Sequence, residues 1–274
     1  MTQGIDWNKM WMEAMENASW RKRRGDMTGF WDKRARRYSQ SIQDNDRPAQ
    51  MISKLDIDPK CTVLDIGAGP GTLTIPLAKI VKHVTVVEPS RGMLACLKEN
   101  AANEGLENIT CINQKWEDVH PGGELDEYDV VIASYSLSML DMAAALSKMD
   151  TVARRSVHLF TFAGDRMWDY TKLWPKLYGE EYRAGPDYIY LCNILYQIDI
   201  RADVEISTTE HKQRFSNLEE AVEQWKENLD ISTPEAEDVI RSHLTAKLIR
   251  EDGLLWSKNT MKAASICWRK DAEH

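Results

Sequence analysis

The stretch Val63-Leu64-Asp65-Ile66-Gly67-Ala68-Gly69-Pro70-Gly71 decides how the rest of this chain reads. It begins apolar and β-prone, then runs into three glycines at alternate positions. Thr72 to Ile80 follows and reads as a helix, with Pro76 near its start, where a missing N–H is tolerated. Strand, tight turn and helix in that order present the free N–H groups of the helix start to a ligand. The spacing argues against a dinucleotide. The NAD fingerprint wants a third glycine where this chain has Thr72. An acid, Asp65, also stands just before the glycines and would repel a pyrophosphate. It suits a ligand with an amine and a positive centre.

The next unit supplies a companion. His83 to Val87 is a continuous β-branched run, suited to a buried parallel strand, and it ends in Glu88-Pro89-Ser90. Ser90 is placed to cap a helix from Arg91 to Ala102, and Gly105 stands where that helix should end. Glu88 comes 23 positions after Asp65, the length of one βαβ unit, at the carboxyl end of the neighbouring strand. A carboxylate there can accept both hydroxyls of a ribose. An acid near a helix start also complements the helix dipole, a purely structural role. Strands and helices continue to alternate through Tyr128–Ala133, Met142–Arg154 and Val157–Phe162. That pattern predicts a parallel sheet with helices on both faces.

These residues resemble the class I S-adenosylmethionine (SAM) methyltransferases, whose glycine turn lies against the methionyl part of SAM. Trp31-Asp32-Lys33-Arg34-Ala35-Arg36-Arg37-Tyr38 is similar to a helix of that family whose tyrosine lies over the cofactor. The resemblance covers residues 30 to 165 and continues by topology alone. It implies an α/β fold: a three-layer α-β-α sandwich with a seven-stranded, mostly parallel sheet whose last strand is antiparallel. It implies an N-terminal helical lid over 1–45 and a methyltransferase domain over 46–274, with an insertion at about 166–200. Its cofactor residues fall here on Tyr38, Asp65, Gly67, Ala68, Gly69, Gly71, Glu88, Pro89 and Met93, the last against the adenine. The loop from Asn113 to Asp118 would edge the adenine. Lys115 or Trp116 stands where the family commonly has an aspartate, so Trp116 is expected to cover the adenine, with Glu117 beside it. The fourth strand would end at Ser134-Tyr135-Ser136, facing the methyl group. The Asn/Asp-Pro-Pro-Tyr of an amine-methylating subgroup is missing there, which disfavours methylation of amide, adenine or cytosine nitrogen by that signature.

Composition narrows the class further. The chain has 274 residues, 43% apolar and 28% charged, ordinary for a globular protein with a sizeable core. No apolar run is long enough to span a membrane, and Met1–Met15 lacks a signal-peptide core, so a cytoplasmic location and no membrane partner are expected. Five scattered cysteines read as reduced packing residues, and six histidines form no cluster, so no metal is expected. A net charge of −8 argues against a nucleic-acid partner. One local exception is Arg21 to Arg24 with Lys33, Arg34, Arg36 and Arg37, read either as a solvated helix face or as a lid that attracts an acidic substrate or RNA. Between Arg166 and Ile200 aromatics crowd the chain, from Trp168 and Trp174 to Tyr196. They either pack an extra helical pair or wall a pocket for an organic substrate.

Methyl transfer from SAM is an in-line displacement in which positioning does most of the work. A base is needed only for a nucleophile that carries a proton. Tyr135, His158 and Asp165 fall near the expected methyl position and could orient or deprotonate an acceptor. The expected function is SAM-dependent methylation of a small molecule. Methylation of protein or RNA is the alternative within that chemistry, and SAM binding without turnover is the alternative outside it.

Overall fold

Residue parity along β1 (Thr62–Ile66) sorts the molecule into layers. Val63 packs with Leu77 of α5 (Thr74–Ala78) and with Leu94 and Leu97 of α6 (Arg91–Asn103). Leu64 and Ile66 point the other way, into a core shared with α1 (Trp7–Asn17), α7 (Met142–Val152) and α9 (Tyr188–Gln197). Strands buried on both faces need such unbroken aliphatic runs, and the run is why the sheet is parallel here. The computed structural model describes residues 4–41, 47–164 and 170–270.

The sheet runs β3 (Ile109–Ile112), β2 (His83–Val87), β1, β4 (Tyr128–Ser134), β5 (Ala153–Phe162), β8 (Leu254–Arg269), β6 (Asp203–Phe215). β1 to β5 pair in parallel, and β8 is antiparallel to both β5 and β6. This is the expected seven-stranded, mostly parallel sheet with a reversed last strand. A three-residue strand, β7 (Ile249–Glu251), adds to β8 off that path. It is too short to leave a pattern in the sequence. The order turns back at β1, whose neighbours β2 and β4 lead to opposite halves of the sheet. The crevice outside their carboxyl ends is therefore the natural ligand position.

Within the expected lid region, α1 ends at Ala18, which is extended and fully buried. The break is held by Ser19, whose N–H donates to the Arg183 carbonyl and whose hydroxyl accepts from the Arg183 N–H. The short α2 (Ser19–Arg24) follows. Trp11 and Met15 of α1 lie in the same core as the sheet. α3 (Met27–Ser41) lies along α6, where a Cβ on Gly92 would come within 2.8 Å of the Asp32 carbonyl oxygen. Only glycine permits that approach.

The late chain holds more than the expected insertion. β6 and β8 pair from Asp203↔Cys267 to Phe215↔Leu255, but β5 meets β8 only from Ala263 onward. The rest of the pair projects as a two-stranded arm carrying α10 (Leu218–Leu229) and α11 (Pro234–Lys247). Asn217 and Thr233 cap these helices, each accepting a backbone N–H three residues on. With α8 (Tyr170–Tyr178) they enclose a separate core around Trp174, Phe215, Val222, Trp225 and Ile240. Among the described residues no helix is long and apolar enough to cross a membrane.

Candidate active site

The glycine turn stands where β1 gives way to α5. Gly67 has φ +71°, and a Cβ there would lie 2.3 Å from the Ser136 Cβ. Its N–H donates to the Val87 carbonyl, and the Ser136 hydroxyl donates to the Ile66 carbonyl. The turn is thus clamped between the ends of β2 and β4. At Gly69 a Cβ would meet nothing within 4 Å. The main chain there faces open space, the condition for a ligand to approach it.

Two buried carboxylates flank the turn. Asp65, 2% exposed, accepts from the Thr74 hydroxyl at 2.6 Å. Burial pushes its pKa up to about 7, against that hydrogen bond, and the nearby Glu88 adds to the rise. Glu88, 7% exposed, accepts from the Gly69 N–H at 2.9 Å and from the Ser90 N–H at 2.8 Å. Burial raises its pKa, and the two N–H donors hold the rise back. The Ser90 hydroxyl accepts from the Met93 N–H as a helix cap and donates to Asp32 on α3. Asp32 also accepts from the Gly92 N–H, and these donors hold its carboxyl below its ordinary value. A polar chain, Asp32–Ser90–Glu88–Gly69, therefore ties α3 to the turn.

Beyond Glu88, the sequence-predicted residues divide. Asn113 donates to the carbonyls of Glu88 and Pro89 and so fixes the loop after β2, a part the sequence did not assign it. Met93 is buried with Ala35 and Cys96, against Trp31. Trp116 departs from expectation. Its indole is 2% exposed, turns into the sheet core and donates to the Ala145 carbonyl of α7. Lys148 fixes this single 3-10 turn, Trp116–Asp118, by donating to the carbonyls of Trp116 and Val119. The ring therefore cannot lie on an adenine. Glu117 is exposed beside it.

At the other half of the sheet edge, Ser134 ends β4, and its hydroxyl lies 3.7 Å from the Met51 sulfur of α4 (Arg47–Ile52). Tyr135 follows with φ +53°, a strained value for a residue with a Cβ. It is held there by its N–H to the Phe160 carbonyl and by its ring against Phe162, 4.7 Å between centroids. Burial raises the pKa of its phenol. Tyr38 lies close enough to act on that phenol, although its own side chain is 38% exposed. His158 does not reach this edge. It sits in mid-strand opposite Ile132, four residues short of the end of β5, 3% exposed, with the Ser156 hydroxyl 3.1 Å away. Burial drops its pKa to about 4, so it is a neutral core group. Asp165 lies outside the described residues.

The match to known proteins follows this geometry. A family model described as "Methyltransferase domain" matches residues 63–156, from β1 into β5. A Haemophilus influenzae protein without an assigned function is 31% identical over 182 residues, 66% of each chain. A 23S rRNA (uracil(1939)-C(5))-methyltransferase of Xanthomonas euvesicatoria is 42% identical over 60 residues, 22% of this chain and 14% of that enzyme. The chain thus spans just under two thirds of the first relative and a small part of the second. Among solved structures, an inferred methyltransferase from Bacillus halodurans C-125 superposes with TM-score 0.56 at 14% identity, over 83% of this chain and 100% of that one. DhpI in complex with S-adenosylhomocysteine superposes with TM-score 0.50 at 12% identity, over 96% and 98%. Residues 63–156 match the methyltransferase domain, and the fold around them is that of the class I SAM-dependent methyltransferases.

Outside the matched domain, the basic N-terminal residues are largely spent on the protein's own fold. Arg21 donates to the Ser138 carbonyl, Arg23 lies over the Tyr178 ring and Arg24 over Phe30. Arg34 donates to the Glu227 carbonyl of α10, and Arg37 pairs with the Glu227 carboxylate. The aromatics after β5 pack likewise. Trp174 packs at a tilt against Tyr178 and Tyr182, and Tyr190 meets Trp7 and Trp11 edge-on. Arg34 and Arg37 thereby join α3 to α10.

Proposed function

We propose that this chain transfers the methyl group of SAM to a small organic acceptor by in-line displacement. The observation that carries this reading is the pair of buried carboxylates, Asp65 and Glu88, at the ends of adjacent strands on either side of the glycine turn. The donor set suits a cationic nucleoside: two buried acids, and open space before Gly69. SAM supplies a methyl group on a sulfonium that leaves readily. The chain's task is to hold and orient. Each oxygen of Glu88 accepts one N–H and keeps a lone pair for a ribose hydroxyl. Asp65 attracts the amino-acid end, and Gly67, Ala68, Gly69 and Gly71 lie along it. Tyr38 covers the cofactor, with Pro89 and Met93 shaping the nucleoside side. Ser134 and Tyr135 face the acceptor.

Calorimetric titration with SAM and with NAD is the first test. Micromolar binding of SAM and none of NAD is expected; the reverse overturns the reading. Turnover is tested by S-adenosylhomocysteine release and a one-methyl mass shift in a metabolite extract. Binding of SAM without release from any extract would favour a non-catalytic SAM-binding role. RNA as acceptor has less support, because the arginines that would draw it are engaged internally and the rRNA enzyme aligns over a short segment only.

A further inference from the structure

The Gly69–Pro70 corner of the turn is held through α3, a helix outside the sheet. In the first half of α3, Asp32 accepts from the Ser90 hydroxyl at 2.6 Å and from the Gly92 N–H at 2.8 Å. The Ser90 N–H in turn donates to Glu88, which accepts from the Gly69 N–H. Near the end of α3, the buried Ser39 hydroxyl lies 3.4 Å from Asn100 of α6, which donates to the Pro70 carbonyl at 2.9 Å. The two clasps differ in charge. A capping serine needs only its oxygen, here accepting from the Met93 N–H, and its one O–H is left to be placed. Asp32 accepts that O–H from 58 positions away. Packing does not require a carboxylate there, since Ala35, Met93, Cys96 and Trp31 already join α3 to α6 by apolar contact. Electrostatics oppose it, because Asp32 lies close enough to Glu88 to disfavour the charge on that group. What the acid supplies is direction: with its O–H committed, Ser90 has one orientation, and its N–H holds one oxygen of Glu88.

We propose that Asp32 is a positioning residue for cofactor binding: through Ser90 it holds the Glu88 carboxylate in the one orientation that offers a lone pair of each oxygen to the ribose hydroxyls. This rests on the reading of Glu88 as the ribose ligand. A glutamate free to turn must be ordered when its ligand arrives, and that ordering subtracts from affinity. Docking of α3 orders it beforehand. The same helix carries Tyr38, the expected cover of the cofactor. Cover and ribose ligand are therefore set by one element, and an α3 that swings away releases both together.

The test measures, by calorimetry on the full chain, the affinities of S-adenosylhomocysteine and of its analogue lacking both ribose hydroxyls. Neither carries a sulfonium, so attraction between a cation and the three acids does not enter. The unaltered chain should bind the analogue about tenfold or more weakly, the scale of charge-assisted hydrogen bonds. Asp32 is exposed, so its replacements should fold. Asp32→Ala should weaken S-adenosylhomocysteine about three- to tenfold more than the analogue, the scale of one hydrogen bond. Asp32→Asn, whose amide oxygen still accepts from Ser90, should restore part of that difference. Ser90→Ala should narrow the gap between the ligands as far as Asp32→Ala does, and the double variant no further. Ser39→Ala, which loosens the other clasp, should affect both ligands alike. Asp32→Ala weakening both ligands equally, or neither, would overturn the proposal. An unaltered chain that binds both ligands alike would overturn the ribose reading of Glu88 and the proposal with it, and one that binds neither would overturn the methyl-transfer reading itself.

Discussion

The two halves of the sheet edge are built in different ways. On the β1–β2 side, the parts that meet are close in the chain: Asp65, the glycines and Glu88 fall within 24 residues. Their geometry is fixed by backbone N–H donors, from Gly67 to the Val87 carbonyl and from Gly69 and Ser90 to the Glu88 carboxylate. On the β4–β5–β8 side, the parts are brought from far apart. Ser134 meets Met51 and Arg47 meets Met261, through side chains alone. Main-chain clamps tolerate little substitution, whereas side-chain walls can be rebuilt one residue at a time. A family can therefore keep one ligand on the first side and change the other ligand on the second.

Substitutions test that contrast. The largest effect is expected at Gly67. Alanine there combines a positive φ with a 2.3 Å contact to Ser136, so Gly67→Ala should lose about 3 kcal/mol of stability. Urea denaturation measures it. Gly69→Ala sharpens the result, since its methyl group meets no protein atom within 4 Å. It should cost only about 1–2 kcal/mol in stability, the price of a left-handed backbone, yet still abolish SAM binding. Equal stability loss at both sites would dissolve the distinction between clamp and ligand space.

Glu88→Ala comes next. SAM affinity should fall by about 1–3 kcal/mol, measured by calorimetry, and unchanged affinity would reject the ribose assignment. A smaller effect follows from Asp65. Its folded pKa of about 7 lies above the unfolded 3.8, so the folded chain keeps a proton that the unfolded chain releases. Stability from this group is full below the unfolded value and is lost as pH rises through about 7. SAM binding runs the other way. A cation beside Asp65 favours the carboxylate, so binding releases a proton and tightens as pH rises through about 7. Titrations in two buffers of different ionisation heat detect that proton, and Asp65→Asn should abolish it. The smallest effect is expected at Arg37 and Glu227, which are 48% and 47% exposed. Arg37→Ala should change stability by at most about 1 kcal/mol, because solvent screens such a pair. A thermal scan showing a larger loss would make the α3–α10 contact more than a surface pair.

The same contrast explains what could be read from the residues alone. Asp65, the glycines and Glu88 announce themselves because spacing along one βαβ unit fixes where they must lie. The alternation of strand and helix likewise predicts the layers and the parallel run of strands. Trp116 misleads because an indole has the same signature whether it covers a ligand or plugs a core. What turns it inward is Lys148 and the Ala145 carbonyl, some 30 residues on. His158 misleads by nearness to a strand end, and only the register with Ile132 shows it to be four residues short. Gly92 is silent because its reason, the approach of Asp32, lies 60 positions away. The β4–β5–β8 side leaves no local pattern, since Ser134 and Met51 are joined only by tertiary contact.

The arm formed by β6 and β8 carries a consequence for the evolution of such enzymes. Phe215 and Leu255 are ladder partners, so the excursion between them starts and finishes at neighbouring points. Closing a loop there costs little additional chain entropy whatever its length. A lineage could exchange this entire hood, or trim it to a hairpin turn, and inherit the cofactor-holding edge untouched.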